Sequence, residues 1–81
     1  FLRIEVKGLT GSQISVHISK NEYSKMKSSD NADYRLCVVT NALKYPEIWT
    51  FSYDSGIWVC EEDNDIELSF EEQIAAIAYV E

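Results

Sequence analysis

Two short stretches near the start of the chain alternate between apolar and polar residues. Residues 1–7 and 14–18 both follow period two, which predicts β-strands with one apolar and one polar face. In the first stretch the apolar positions are Leu2, Ile4 and Val6, and the polar positions are Arg3, Glu5 and Lys7. In its simplest interpretation, the polar face that carries Glu5 and Lys7 is exposed to solvent.

The next segments predict a helix and a more buried strand. Ser19 and Glu22 have the spacing of a capping box, which predicts a helix beginning after Ser19. Residues 34–41 are almost continuously apolar, as expected for a strand that is covered on both faces.

The last part of the chain predicts a hairpin, an acidic loop and a helix. Residues 48–53 and 57–60 are strand-like and flank a turn at residues 54–56. Residues 61–67 form the acidic loop, which we interpret as a solvated linker. A second capping box, Ser69 to Glu72, precedes an apolar stripe at helical spacing and predicts a closing helix at about residues 70–80. The members of that stripe are Phe70, Ile74 and Ile77 or Ala78.

Glu5 and Lys7 are the residues with the clearest chemical potential. Two positions apart on a strand, they share one face of a sheet. A carboxylate there can bind a hard divalent cation, and an ammonium can orient water and stabilise charge on a phosphate. The spacing alone is weak evidence, because Glu-x-Lys is common by chance.

A longer pattern makes the spacing more specific. It consists of residues 4–8, then Ser19, Asn21 and Glu22, then residues 34–41. In this order and spacing, residues 1–53 resemble the NO VEIN C-terminal-like domain family. That family is placed within the PD-(D/E)xK nuclease-like superfamily and often stands at the end of large helicase-like or restriction and defence proteins.

The resemblance implies a restriction-endonuclease-like core and hydrolysis of nucleic-acid phosphodiesters with Mg²⁺ or Mn²⁺. Glu5 would bind the metal, the Val6 carbonyl would be a second metal ligand, and Lys7 would position water. In the superfamily an acidic residue on the preceding strand completes the site. The chain begins inside the strand of Glu5, so we interpret it as part of a larger protein whose N-terminal portion of the fold is missing.

These patterns together predict an α/β or α+β fold with a mixed central sheet and flanking helices. The predicted order is strand, strand, helix, strand, strand, strand, helix. We expect one domain over residues 1–81, with a nuclease-like core at 1–53 and the hairpin, acidic loop and closing helix at 54–81.

Charge is distributed unevenly along the chain. The first 45 positions hold all seven basic residues and four acidic ones, whereas residues 46–81 hold ten acidic residues and no basic one. We therefore expect nucleic acid, DNA in the first instance, to approach the basic half, with Lys20 and Lys25 contacting phosphate. A sequence pI near 4.5 argues against strong binding by this chain alone.

Several other residues admit two interpretations. His17 is either an accessory proton carrier beside Glu5 and Lys7 or an exposed strand residue. Glu22 is either an accessory carboxylate or only a helix cap. Asn41 is a ligand contact or a turn residue. The remaining aromatic side chains either stack on bases or belong to the core; they are Trp49, Phe51 and Trp58.

Cysteine content and hydropathy bear on location. Cys37 and Cys60 lie in separate strand-like runs without metal-ligand spacing, which is typical of buried free thiols in an intracellular protein, cytoplasmic or nuclear. No apolar run has the length of a membrane span. Two alternatives to the nuclease remain open. One is a non-catalytic module that binds nucleic acid or protein with a degenerate nuclease fold, and the other is a scaffold whose acidic half docks a partner.

Overall fold

The computed structural model describes residues 2–29, 31–72 and 75–81. Within these residues the chain forms seven strands, one α-helix and one short 3₁₀-helix. In chain order the elements are β1 (Arg3–Gly8), β2 (Ser15–Ile18), α1 (Lys20–Met26), the 3₁₀-helix (Asn31–Asp33), β3 (Tyr34–Thr40), β4 (Glu47–Asp54), β5 (Ile57–Cys60), β6 (Glu67–Glu72) and β7 (Ala76–Tyr79).

All seven strands belong to one sheet, in the spatial order β1-β3-β4-β5-β6-β7-β2. Only β1 and β3 run parallel, and the other neighbours are antiparallel. The sheet curls into a nearly closed, barrel-like form. Helix α1 follows β2 directly and contacts β1 through the Lys7–Glu22 ion pair. It therefore links the two edge strands of the sheet.

The predicted α/β fold with flanking helices and a restriction-endonuclease-like core is wrong. Strands make up 51% of the structure and helices only 13%. The reason is that the sheet curls around its own core, so that its inner face is buried without a layer of helices. The buried side chains of β2 to β7 and Met26 of α1 pack together in one cluster.

The predicted closing helix at residues 70–80 is also wrong. Residues 67–72 and 76–79 are strands, β6 and β7, which pair antiparallel; Gln73 and Ile74 lie outside the described residues. Leu68, Ala76 and Ala78 are buried at strand spacing. The apolar residues predicted as a helical stripe also fit the period of two that a strand requires. Pairing of β7 with β2 selects the strand, because tertiary contacts override weak local propensity.

The interpretation that the polar face of β1 is exposed to solvent is wrong as well. Glu5 and Lys7 lie opposite Leu36 and Val38 of β3, whose side chains are fully buried, so they face the inside of the curled sheet. The apolar side chains of β1 face outward; Ile4 is 57% exposed. A parallel neighbour with its own inward-facing apolar residues fixes this choice, since residues in register share a face.

Other local predictions are confirmed. Residues 54–57 turn between β4 and β5, with Ser55 at φ 51° and Gly56 at φ 97°, which is the positive-φ pair that a tight two-residue hairpin requires. Asn41 has φ 51° directly after β3, consistent with its role as a turn residue. The strand at residues 34–40 is confirmed, but it is fully buried on one face and half-buried on the other.

The acidic loop is more than a solvated linker. Glu61 pairs with Arg35 of β3 at 2.9 Å, and Glu62 accepts a hydrogen bond from the backbone N–H of Thr50 at 2.7 Å. These contacts fasten the loop to the outer side of β3 and β4. Cys37 and Cys60 are free thiols, half-buried and buried respectively. None of the described helices has the length and apolar character needed to cross a membrane.

Candidate functional site

A cluster of two carboxylates and one ammonium lies where β1 meets the beginning of α1. The Nζ atom of Lys7 is 3.1 Å from both carboxylate oxygens of Glu22 and 3.7 Å from Oε1 of Glu5. Alternation along β1 brings Glu5 and Lys7 to the same face, and the start of α1 brings Glu22 to them. We refer to Glu5, Lys7 and Glu22 as the carboxylate–lysine cluster.

The capping box of α1 fixes the position of Glu22. Ser19 is the N-cap, and its hydroxyl oxygen accepts a hydrogen bond from the Glu22 N–H at 3.2 Å. In return, Glu22 Oε1 accepts the Ser19 N–H at 2.8 Å. Glu22 is therefore both a helix cap and a member of the cluster, so the two interpretations of this residue are compatible. The cap orients the carboxylate before any ligand binds.

The two carboxylates titrate in opposite directions. A hydrogen bond with Glu22, together with partial burial, raises the pKa of Glu5, although the nearby Lys7 opposes the change. Partial burial also acts to raise the pKa of Glu22. Hydrogen bonds with Glu5, Ser19 and Lys7 outweigh it and lower the pKa of Glu22 to about 2. Glu5 is therefore the carboxyl of the pair that takes up a proton first as pH falls, and Glu22 is the one that stays ionised longest.

The negative charges of the cluster also act on Tyr34, a buried residue of β3. It is the first residue of β3, lies opposite Arg3 of β1 and is buried. Burial raises the pKa of Tyr34 to about 12, and the negative charges of Glu5 and Glu22 add to the effect. Its hydroxyl therefore stays protonated across the physiological range. The pattern that predicted a buried strand also placed Tyr34 there, but nothing in the sequence connected it with Glu5.

The donor set suits a small hard cation. Glu5 and Glu22 provide carboxylate oxygens on either side of the Lys7 ammonium. Mg²⁺ commonly takes one or two carboxylates and keeps several waters, so two carboxylates are sufficient protein ligands. Among residues 2–29, 31–72 and 75–81, no three His, Cys, Asp or Glu side chains are grouped as metal ligands.

The other predicted site residues lie apart from the cluster or contribute differently. His17 is exposed on the outer face of β2, opposite Ile77, and so is on the other side of the sheet from the inward-facing cluster. Lys20 and Lys25 are exposed on α1, at its first residue and in its last turn. The side chain of Val6 points outward between Glu5 and Lys7.

Comparison with protein families places the cluster within a matched region. Residues 2–51 match the model of the family described as Protein NO VEIN, C-terminal. The match spans more than half of the chain and contains every member of the carboxylate–lysine cluster, so the chain belongs to this family. Neither a comparison with curated proteins nor one with solved structures gave a match.

Proposed function

We propose that this domain is the metal-binding part of a nuclease module that hydrolyses nucleic-acid phosphodiesters, as in the PD-(D/E)xK superfamily. The observation that carries the proposal is the carboxylate–lysine cluster. The Lys7 ammonium lies 3.7 Å from Glu5, on the inner face of the same strand, and 3.1 Å from Glu22, in the capping box of α1. Perturbed carboxyl groups with a specific charge partner are features that functional sites share.

Each residue of the cluster has a distinct role in this proposal. Glu5 and Glu22 would provide carboxylate ligands to a divalent cation. Such a cation, when bound, polarises a phosphoryl oxygen and lowers the pKa of a coordinated water. Lys7 holds Glu22 in place in the unbound state. On substrate binding, its ammonium is placed to stabilise negative charge on the phosphate.

The local topology supports the proposal. Strand β1, helix α1 and the parallel strand β3 form a crossover unit, with β2 inserted before the helix. This unit brings Glu22, fifteen residues away from Lys7, into contact with it. A parallel pair needs such a connection, and its helix end provides a natural place for an oriented charge.

Cation binding and cleavage test the proposal together. In an NMR titration of the 81-residue chain with Mg²⁺ or Mn²⁺, we expect changes at Glu5, Lys7 and Glu22. Mn²⁺-dependent cleavage of single- or double-stranded DNA should be lost in Glu5→Gln. It should be retained in Glu47→Gln, a matched change at an exposed position of β4. Absence of both cation binding and cleavage in the wild-type chain would show that the proposal is wrong.

A second candidate function is a non-catalytic interaction module. The observation that favours it is an apolar patch on the opposite side of the same strands. Ile4 and Val6 of β1 and Ile48 of β4 are 57%, 60% and 59% exposed, and half-buried Cys37 and Val39 of β3 lie between them. We call these five residues the outer apolar face. Exposed apolar patches mark interaction surfaces when they are contiguous. If the wild-type chain cleaves no DNA but binds DNA or a protein without a cation, that result would favour this candidate.

A further inference from the structure

A pocket with aromatic walls opens on another part of the molecule. It has a volume of about 300 Å³ and lies between α1 and the strands β4, β5 and β6. Four aromatic rings and one ammonium line it: Tyr23, Phe70, Tyr53, Trp58 and Lys27. None of these residues belongs to the carboxylate–lysine cluster, and none was singled out by the resemblance.

The rings are held in two pairs. Tyr23 and Phe70 lie with centroids 5.5 Å apart and planes 30° apart, whereas Tyr53 and Trp58 meet at 5.7 Å and 62°. The Tyr23 hydroxyl also donates a hydrogen bond to Glu72, which anchors α1 to β6. Partners on neighbouring elements therefore fix the orientation of the rings, so that a planar ligand meets surfaces that are already ordered.

Lys27 is the charged residue among those that line the pocket, and the Glu72 carboxylate lies beside it as the acceptor of the Tyr23 hydroxyl. The Lys27 ammonium lies 4.4 Å from the centroid of the Tyr23 ring, in a cation–π arrangement. An ammonium at this position opposes the entry of a cationic ligand and favours one with negative charge next to a flat ring. Asn31 also lines the pocket, and its side-chain amide donates a hydrogen bond to the Met26 carbonyl, which holds the residue after α1 in place.

We propose that this pocket binds the base of a nucleotide, with the adjoining phosphate on Lys27. A base provides a planar π-face for the rings and a phosphate for the ammonium, and a stacking site of this kind tolerates any of the four bases. An aliphatic ligand would use the walls but not Lys27, and a methylammonium would use the rings but be repelled by Lys27. The choice of ligand class rests on the proposed function, but binding of the base does not require cleavage.

The position of the pocket connects it with the carboxylate–lysine cluster. Glu22 and Tyr23 are consecutive residues of α1, so one seven-residue helix carries a member of each site. Lys27, which would hold the phosphate, is the C-cap of α1, so this phosphate and the carboxylate–lysine cluster would lie at opposite ends of one helix. In the proposed function the pocket contributes positioning, and the cluster contributes the charge that acts on a phosphate.

Base binding can be measured by NMR, from the side-chain signals of Trp58 and Tyr53 in the 81-residue chain. The probes are dAMP, an eight-residue deoxyadenosine oligonucleotide, and an oligonucleotide of the same length that carries only abasic sites. We expect dAMP and the deoxyadenosine oligonucleotide to shift both signals, and the abasic oligonucleotide to leave them unchanged. If the oligonucleotide shifts them and dAMP does not, the ligand is a base within a strand. If only dAMP shifts the two signals, the ligand is a free nucleotide. Either result supports the proposal that the pocket binds a base.

Substitutions of exposed residues inside and outside the pocket identify the side chains that contact the ligand. Tyr53→Leu keeps an apolar side chain at a 38% exposed position but removes the π-face, and it should weaken binding of either effective probe about tenfold. Tyr45→Leu, at an 84% exposed position outside the pocket, should change it little. Lys27→Gln should weaken dAMP binding and reduce its salt dependence, whereas Lys44→Gln should not.

The outcomes separate this inference from the proposed function. Equal binding of abasic and intact oligonucleotides, or equal effects of Tyr53→Leu and Tyr45→Leu, would overturn it. So would unchanged Trp58 and Tyr53 signals with every probe. Glu47→Gln, at an exposed position of β4 outside both sites, should leave base binding at the wild-type level. A chain that binds bases through Tyr53 but never cleaves DNA therefore disproves only the nuclease proposal.

Discussion

Strands β1 and β2 have the same kind of sequence, but β2 buries its apolar face whereas β1 exposes its apolar face. Both alternate apolar and polar residues, and both lie at an edge of the sheet. In β2 the apolar side chains Val16 and Ile18 are buried, 4% and 1% exposed, and the polar ones face solvent. In β1 the apolar side chains face solvent, and the charged ones face inward. Alternation therefore defines two faces of a strand but not which of them is buried.

The difference comes from the partners of each strand. β2 pairs with β7, whose inward residues Ala76 and Ala78 are small and leave room for Val16 and Ile18. β1 pairs with β3 at the end of the sheet where α1 begins, and its inward side chains meet the Glu22 carboxylate. A charged pair is tolerated inside because each charge has a partner, which a lone lysine or glutamate would lack.

The largest expected effect is a contrast between two identical substitutions. Ile18→Ala should lower the free energy of unfolding by about 2–5 kcal/mol, because it leaves a cavity in the core. Ile4→Ala, at a 57% exposed position, should change it by about 0.5 kcal/mol or less. Urea denaturation followed by tryptophan fluorescence gives both values. Equal losses at the two positions would show that the outer face of β1 is buried in solution.

Removal of the Glu22 carboxylate, which bonds both Lys7 and Ser19, should have an effect of intermediate size on the free energy of unfolding. Glu22→Ala breaks the hydrogen bond with Lys7 and half of the capping box, and should cost about 1–2 kcal/mol. The control is Asn21→Ala, one residue earlier on the same helix and exposed, which should cost less. A smaller loss in Glu22→Ala than in Asn21→Ala would mean that the cap and ion pair do not stabilise α1.

The titration of the two carboxylates should separate them as pH falls. The pKa of Glu22 is below its ordinary value of 4.5, so its contribution to stability is present above pH 4.5 and is lost as pH falls toward 2. The pKa of Glu5 is raised, so ionisation of Glu5 lowers the stability of the fold as pH rises above 4.5, and protonation of Glu5 restores it as pH falls.

We therefore expect two carboxyl transitions in a ¹³C NMR titration, with Glu5 above and Glu22 below the ordinary glutamate range. In Glu22→Gln the Glu5 transition should move toward its ordinary value, since the partner charge is gone. Coincident transitions of Glu5 and Glu22 in the wild-type chain would contradict the hydrogen-bonded pair.

The smallest stability effect is expected on the outer apolar face. Val6→Lys should change the free energy of unfolding by about 0.5 kcal/mol or less, and it should reduce binding of a hydrophobic dye to the folded chain. Val16→Lys is the matched change at the corresponding inward position of β2, and it should prevent folding because it buries an unpaired charge. A comparable loss of stability in both variants would indicate that Val6 is covered.

Part of the fold and of the site can be predicted from the sequence. The strands at residues 3–8, 15–18 and 34–40, the helix after Ser19 and the hairpin around Gly56 all follow from local patterns. Glu5, Lys7 and Glu22 could be named as candidates from their order and spacing, and the structure brings them together. His17 was grouped with them only because both strands alternate, and it lies on the other side of the sheet.

The sequence by itself determined where the chain alternates, where it turns and where the cap of α1 lies, because these depend on residues a few positions apart. Only the tertiary structure decided that β1 turns its charges inward, that residues 67–72 and 76–79 are strands rather than a helix, and that the sheet curls on itself. Each of these depends on pairing between distant segments, such as β2 with β7, whose burial outweighs the small energies of local preference.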